Sequence, residues 1–326
     1  MAVEASQRSF DAVSTYNRLI LEDADTSMSV AAIETMLLGL AATPASTVAE
    51  TLDLVSQRTA ELKQAMPHSV SLAAGTDLFQ QYLVANLQRQ GPGDFEAVRQ
   101  NLIRNGQAFA QRAKAARDAI AACGPAFIAD RDVVLTTGAS RIVGRLLCRA
   151  GDHGSDHGSR RFRVVLVLDG DGCPATAQAL RARGVPVATI PPTAVAHCMD
   201  SVTKCVVDAE GIVQNGGIVG PLGTYQMALL ARAAGKPFHV VGETHTFARL
   251  FPLGQQDLRL TQDVLVFVPA DNRAASDEDV ADLGMRAPPS KDAVDYTPPH
   301  LIAGIITESG MLLPSAVAEE MIKMWV

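Results

Sequence analysis

From Val133 to Val241, short apolar runs alternate with helix-like stretches, and this alternation constrains the fold more than any other feature. The runs are Val133–Thr136, Arg163–Leu168 (RVVLVL), Val185–Ile190, Lys204–Asp208 and Phe238–Val241. Between them, Arg141–Ala150, Ala175–Arg183 and Tyr225–Ala234 read as helices. Strands that alternate with helices imply a parallel sheet joined by crossover helices. The runs are apolar along their length, not alternately polar, so the sheet is expected to be covered on both faces. The expected class is α/β.

The chain before residue 126 reads differently. Phe10, Val13, Tyr16 and Ile20 recur at helical spacing, as do Ile33, Met36, Leu37 and Leu40. Thr43-Pro44 reads as a cap followed by a first-turn proline. Val48, Leu52, Val55 and Leu62 then form the expected buried stripe of the next helix. Thr76-Asp77 reads as another helix start, ahead of Leu78, Phe79, Tyr82 and Leu83. Gly91-Pro92-Gly93 breaks the pattern. A long helix carrying Phe95, Val98, Leu102 and Phe109 is predicted to end near Gly124-Pro125. The expected division is an all-helical domain over 1–125 and an α/β domain over 126–326.

Charge and composition exclude several functions. With a formal charge of −7 and no Lys/Arg block, neither nucleic acid nor an anionic membrane is expected as a direct partner. The longest apolar runs are too short to span a bilayer. The opening MAVEASQRSF lacks the basic start and apolar stretch of a signal peptide. Cys123, Cys148, Cys173, Cys198 and Cys205 form no CxxC pair and read as reduced core residues of a cytosolic protein. Gly151–Arg161 contains a tandem DHGS, whose glycines and serines would fix no ligand geometry. A solvated loop is expected there, not a metal site. Asp271–Asp295, rich in charge, Ala and Pro, is expected to be an exposed excursion.

Ligands of an open parallel sheet sit at the carboxyl ends of its strands. Three segments fall there. Thr136-Thr137-Gly138-Ala139-Ser140-Arg141 places hydroxyls, a glycine and an arginine at a helix start, a plausible anion site. Asp208-Ala209-Glu210 offers carboxylates for sugar hydroxyls or acid–base work. NGGIVGPLGTYQMA (Asn215–Ala228) runs through glycines to Gly223-Thr224 and a helix, a turn that can cradle a phosphate or simply reverse the chain. Each alone is a turn or cap that any such domain needs; together they also fit a pocket. There is no GxSxG or GxxxxGK[ST], and Asp169–Gly172 is not GxGxxG. His239 and His245 read as satisfied structural histidines.

Longer strings carry a resemblance. GIVQNGGIVGPLGTYQMALLARAAGKPFHVVGETHTFARLFPLGQQD (Gly211–Asp257), DYTPPHLI (Asp295–Ile302) and the ending LLPSAVAEEMIKMWV resemble the alpha, beta and delta regulatory subunits of eukaryotic translation initiation factor 2B, the alpha branch most of all. SVAAIETMLLGL and VSLAAGTDLF also look like that family's helical domain. The resemblance covers nearly the whole chain. It implies a helical domain on a Rossmann-like domain and a non-catalytic role in a complex that exchanges guanine nucleotide on initiation factor 2. The implied partners are a second copy of the chain, the beta, gamma, delta and epsilon subunits, and the phosphorylated alpha subunit of initiation factor 2.

The same fold resembles methylthioribose-phosphate and ribose-bisphosphate isomerases, which use a cysteine in a segment like LTHCNTG and an aspartate in a segment like GAD. The cysteine position falls on Gly138. Asp208-Ala209-Glu210 stands in place of GAD, with the aspartate position at Glu210. Isomerase chemistry is therefore expected to be lost. The rival readings are a working sugar-phosphate isomerase and a free-standing metabolite-binding protein. No cofactor is implied as a requirement, but a sugar phosphate or nucleoside monophosphate is. Its phosphate is expected near Ser140 and Arg141 with Thr137 and Gly138, or at a Gly75-Thr76 helix start; Glu210 and Asn215 would hold a ribose beside Gly223 and Thr224. Relatives carry Asn-Lys where this chain has Gly220-Pro221, and Glu-Ser-x-Pro where it has Leu168-Asp169-Gly170-Asp171-Gly172. The last helix (Val317, Met321, Ile322, Met324, Trp325) has more apolar positions than one buried face requires, which points to dimerisation. The family's sensing surface is expected at Thr47 and Glu50, one turn apart and clear of the buried stripe.

Overall fold

The computed structural model describes residues 10–23, 26–43, 47–67, 69–89, 95–138, 140–152, 161–168, 175–258, 260, 262, 264 and 293–325. Five helices come first: α1 Ala12–Glu22, α2 Met28–Ala42, α3 Val48–Ala65, α4 Val70–Arg89 and α5 Phe95–Ala122. α2 is the axis of this part. Val30, Ala31, Ala32, Ile33, Met36, Leu37 and Leu40 are all buried, so three sides of the helix are apolar and covered. α4 crosses it closely at Gly75, where a Cβ would lie 2.6 Å from the Ser29 carbonyl oxygen. A larger residue would push the two helices apart.

Two expected helix starts lie elsewhere. α3 does not open at Thr43-Pro44 but at Val48, with Thr47 as N-cap; Pro44 lies outside the described residues. Val48 is 40% exposed and leaves the buried stripe to Val55 and Leu62, with Leu52 packed at its edge. Gly75 and Thr76 are not a helix start at all. α4 begins a turn and a half earlier, where the Leu72 N–H donates to Ser69 Oγ at 3.1 Å. Thr76 is buried in mid-helix, its hydroxyl donating back to the carbonyls of Leu72 and Ala73. A capping-type residue is neutral in a helix interior when its hydroxyl finds the preceding turn.

A short helix, α6 Gly124–Phe127, leads into the sheet. Its strands are β1 Val133–Thr137, β2 Arg163–Val167, β3 Val187–Ile190, β4 Lys204–Asp208, β7 Phe238–Val241, β10 Gly304–Thr307 and β11 Gly310–Leu312. They lie in the order β11-β10-β7-β4-β1-β2-β3. All neighbours are parallel except β10 and β11. α7 Arg141–Gly151, α8 Ala175–Ala182, α9 Val195–Cys198, α10 Thr224–Ala233 and α11 Val317–Trp325 complete the described helices. One apolar core, with Leu135, Val207, Val240 and Ile305, lies on one face of the sheet. A second, with Val134, Val164, Val206 and Val241, lies on the other. That is the two-sided burial the unalternating strands imply.

A second, four-stranded sheet was not legible in advance: β8 Phe247–Ala248, β5 Gly211–Val213, β6 Ile218–Pro221 and β9 Val294–Thr297, in that order. Strands of two to four residues are too short to show a period. Pro221 ends β6, where its missing N–H costs the ladder least. β9 corrects the end of the Asp271–Asp295 excursion. Val294 and Asp295 are buried in a strand, while residues 271–292 lie outside the described set, as does the DHGS tandem beyond Asp152 (residues 153–160). The outer edge of β9 is closed by side chains. Gln255 both accepts from the Tyr296 N–H and donates to its carbonyl, at 2.7 Å each, and Gln262 does the same for Val294. His239 also departs from expectation: its Nδ1 is buried without a partner among the described residues, and burial pushes its pKa down to about 4.

Candidate functional site

From β1 the chain moves outward to β2 and β3; from β4 it moves the other way to β7 and β10. The reversal between β1 and β4 opens a crevice at their carboxyl ends, the place where such sheets bind ligands. Thr137 ends β1, Gly138, Ser140 and Arg141 follow it, and Asp208 ends β4. Thr137 Oγ1 is buried with no partner among the described residues. Ser140 caps α7, accepting from the Val143 N–H at 3.2 Å. Arg141 is exposed. At Gly138 a Cβ would stand 2.0 Å from Leu168 Cδ2, so a leucine fills the space a side chain would need.

Polar groups from both parts of the chain meet beside this crevice. Glu243, just past β7, is paired with Arg117 of α5 at 2.6 Å, and the two side chains are only 6% and 13% exposed. Burial works to raise the Glu243 carboxyl, but the neighbouring His245 and Arg117 outweigh it and hold it low. His245 is buried, and burial holds its pKa down against Glu243 and Glu308. Its Nε2 shares a 3.1 Å hydrogen bond with Ser27 Oγ, which in turn contacts Ser29 Oγ at 3.1 Å. Glu308, past β10, accepts from both the N–H and the hydroxyl of Thr244. Burial raises the Asp208 carboxyl; Ser140 pulls it back, Glu243 pushes it up and Arg117 lowers it.

Ser27 is the N-cap of α2, accepting from the Val30 N–H at 3.3 Å. In front of it lies a cavity of about 70 Å³, lined by Asp23, Thr26, Ser27, Val30, Ala113, Lys114, Arg117 and Arg145. At ~30 Å³ per water this holds a couple of waters or a small oxyanion. The three cations are anchored by carboxylates: Lys114 to Glu34 at 2.7 Å, Arg117 to Glu243, and Arg145 to Asp118 at 3.2 Å. A helix start, two hydroxyls and three cations edge this small cavity, with the Asp23 carboxylate turned to the Thr26 hydroxyl at 2.8 Å, an arrangement suited to a phosphate group. Gly75 does not line this cavity; it lies in mid-helix against Ser29 of α2.

The glycine-rich turn belongs elsewhere. Gly223 has φ +101° and sits before α10. Its N–H donates to Asp295 Oδ2 at 2.7 Å, and the Tyr225 N–H donates to Asp295 Oδ1 at 3.0 Å. The anion at this helix start is the chain's own carboxylate. Thr224 donates its hydroxyl to the Pro221 carbonyl at 2.6 Å. Asn215 is equally committed: its Nδ2 donates to the Pro252 carbonyl and to Tyr296 Oη, and its Oδ1 accepts from the Gly217 N–H. Glu210 is half-buried at the head of β5. The expected site residues thus divide between the crevice (Thr137, Gly138, Ser140, Arg141), the second sheet (Glu210, Asn215, Gly223, Thr224) and α4 (Gly75, Thr76). Arg117, Ser27, Glu243 and Glu308 were missed. Glu243 and Glu308 were open to the same strand-end rule that picked out Asp208; Arg117 carried no local signal. Thr47 and Glu50 are both exposed at the start of α3. Among the described residues no group of His, Cys, Asp or Glu is suited to a metal.

Comparison with known proteins fits this geometry. The initiation factor 2 subunit family matches residues 21–314. The chain is 30% identical over 319 residues to translation initiation factor eIF2B subunit alpha of Dictyostelium discoideum, covering 96% of each. It is 29% identical over 273 residues to a methylthioribose-1-phosphate isomerase of Oleidesulfovibrio alaskensis, covering 79% of this chain and 72% of that one. Its fold matches a chain of the tetrameric eIF2B-beta2-delta2 complex from C. thermophilum with a TM-score of 0.72 at 21% identity, over 97% of both.

Proposed function

The chain belongs to the initiation factor 2 subunit family, and on that premise we propose that it is a non-catalytic regulatory subunit of the guanine-nucleotide exchange factor for initiation factor 2, of the alpha type. The observation that carries this reading is the likeness to an alpha subunit over 96% of both chains. The working partners would be the beta, gamma, delta and epsilon subunits and the phosphorylated alpha subunit of initiation factor 2, in the cytosol. Gly138 supports the absence of isomerase chemistry, since it offers no thiol and Leu168 occupies the room for one. Affinity capture from a cell extract is expected to recover the other four subunits; their clean absence would refute the assignment. Conversion of methylthioribose-1-phosphate by the purified chain would refute the non-catalytic part.

A sugar phosphate or nucleoside monophosphate is the ligand this reading gives the crevice, with its phosphate at the start of α2. A second copy of the chain is the expected partner of an apolar surface. Phe251, Leu253 and Leu313 are 63%, 83% and 61% exposed. They flank one turn: Asn215 holds the Pro252 carbonyl, and Gly216 lies against Pro314 so closely that a Cβ would reach 2.1 Å from its oxygen. Ile322 of α11, 59% exposed, extends the apolar character toward the end of the chain, while Val317 and Met321 face the core. Light scattering is expected to give twice the chain mass of 34.4 kDa, and Leu253→Glu with Phe251→Asp to give the monomer.

A further inference from the structure

Two residues with hydroxyls, Thr26 and Ser27, line the cavity at the start of α2. Thr26 gives its hydrogen to Asp23 Oδ2 at 2.8 Å, which leaves Ser27 to serve an anion. The Ser27 hydroxyl has one hydrogen and two lone pairs to place. The Val30 N–H takes one lone pair, at 3.3 Å. His245 Nε2 stands 3.1 Å from the same oxygen, and the state of that nitrogen decides the rest. A bare Nε2 takes the Ser27 hydrogen and leaves at most a lone pair toward the cavity. An Nε2–H takes the second lone pair and frees the hydrogen. Ser29 Oγ, also at 3.1 Å, can give or accept and so follows either arrangement.

We propose that His245 is a positioning residue for the phosphate: by donating from Nε2 to Ser27 Oγ, it makes the Ser27 hydroxyl a donor to the anion in the cavity. The proposal rests on the pocket reading given above. A phosphate oxygen only accepts, so a Ser27 that had given its hydrogen to His245 would meet it lone pair to lone pair. With the hydrogen free, the same contact becomes a hydrogen bond to a charged acceptor, one of the stronger kinds. His245 is 2% exposed, so its bond to Ser27 is shielded from competing water. Its neighbour acts on the cavity in a parallel way. Glu243, two residues earlier, holds Arg117 of α5 at 2.6 Å, and Arg117 also lines the cavity. The loop after β7 thus holds two of the cavity's groups, a cation and a hydroxyl, although both belong to the helical part of the chain.

The test is a double-mutant cycle on the full chain, read by calorimetry with ribose 5-phosphate. Ser27→Gly removes the hydroxyl but keeps a residue that suits an N-cap; it is expected to weaken binding about tenfold. His245→Leu fills the space without a donor. It is expected to weaken binding about tenfold on its own, and less than about twofold further when Ser27→Gly is already present. His245→Gln returns an N–H donor near the place of Nε2 and is expected to stay within about threefold of the wild type. Should the leucine variant fold poorly, NMR of the wild type with isotope-labelled histidine ring nitrogens gives an independent answer. The His245 signal, identified by its absence from His245→Gln, is expected to show an Nε2–H when ribose 5-phosphate is bound. A loss in His245→Leu that is as large without the Ser27 hydroxyl as with it, or a bare Nε2 in the ligand-bound wild type, overturns the proposal and leaves the pocket standing. Failure of the wild type to bind ribose 5-phosphate removes the pocket, and the proposal with it.

Discussion

The starts of α10 and α2 carry opposite sequence signatures and opposite occupancies. α10 opens on a glycine-rich turn with Gly223 at φ +101°, and two of its N–H groups are bonded to Asp295. α2 opens on Ser27 without a neighbouring glycine, and a cavity of about 70 Å³ lies in front of it. Glycine reports the backbone angle that a turn requires. It does not report whether the turn is already filled. Asp295 is 72 residues from Gly223, so no local pattern shows that a carboxylate returns to the turn. The cations around α2 are equally remote from Ser27 in sequence.

Removing the anchor of the open start is expected to have the largest effect. Arg117→Ala leaves Glu243 in a site where its side chain is 6% exposed, with its ion pair gone. Breaking a buried pair on one side costs about 3–5 kcal/mol, read as a lower urea midpoint. Glu243→Gln added to the same chain should recover part of the loss, because the stranded charge is gone. Sugar-phosphate binding should be lost in both variants. A loss below about 1 kcal/mol would show that water reaches the pair, and the contrast between a built and a filled helix start would lose its first half.

The filled start is tested by pH. Burial pushes the Asp295 carboxyl up from 3.8 to about 6, against the bonds from Gly223 and Tyr225, which lower it. The folded state therefore holds this proton more tightly than the unfolded chain. The stabilisation is complete below the unfolded value near 3.8 and is lost as pH rises through about 6. The stability of the wild type relative to Asp295→Asn is expected to fall across that window by up to roughly 3 kcal/mol. A flat difference between pH 4 and 7 would mean that the carboxylate is not buried at α10, and that its start is open after all.

The two parts of the chain differed in how far they could be read. Five strands of the main sheet, β1, β2, β3, β4 and β7, were legible because a parallel strand covered on both faces is apolar throughout, as RVVLVL is, while β10 and β11 were not expected. The crevice followed from the same pattern, since strand ends and strand order fix its place; Ser140 and Asp208 were found that way. The helix starts were less legible. Thr43-Pro44 carries the letters of a cap, yet Thr47 is the one used. Thr76 looks like a cap and serves as a buried mid-helix hydroxyl. Ser, Thr and Asp mark a competition for backbone N–H groups, which tertiary packing decides. The second sheet was hidden for a similar reason: its pairing is set by partners such as Gln255 and Gln262, not by a period.

α3 supplies a third helix start, closed like that of α10 but by its own first turn and at the surface. The Glu50 N–H donates to Thr47 Oγ1 at 3.1 Å, and the Thr51 hydroxyl donates to the Thr47 carbonyl at 2.9 Å. Thr47-x-x-Glu50 is the capping-box pattern. Residues 47–50 are all exposed, so this start can meet a partner without opening. Thr47 then has two separable roles. Thr47→Ala removes the cap and is expected to cost about 1 kcal/mol, the smallest effect considered, while leaving the surface charge unchanged. Thr47→Lys removes the same cap and adds a positive charge beside Glu50, a carboxylate that would repel the phosphate itself and is therefore expected to meet basic residues of the phosphorylated factor. In a reconstituted exchange assay, Thr47→Lys is expected to relieve inhibition by that factor, with basal exchange intact, and Thr47→Ala to leave inhibition nearly whole. Equal relief by both variants would assign the effect to a frayed helix, not to charge at a contact. Full inhibition of the lysine variant would remove this helix start from the sensing surface, leaving Thr47 and Glu50 as a cap and nothing more.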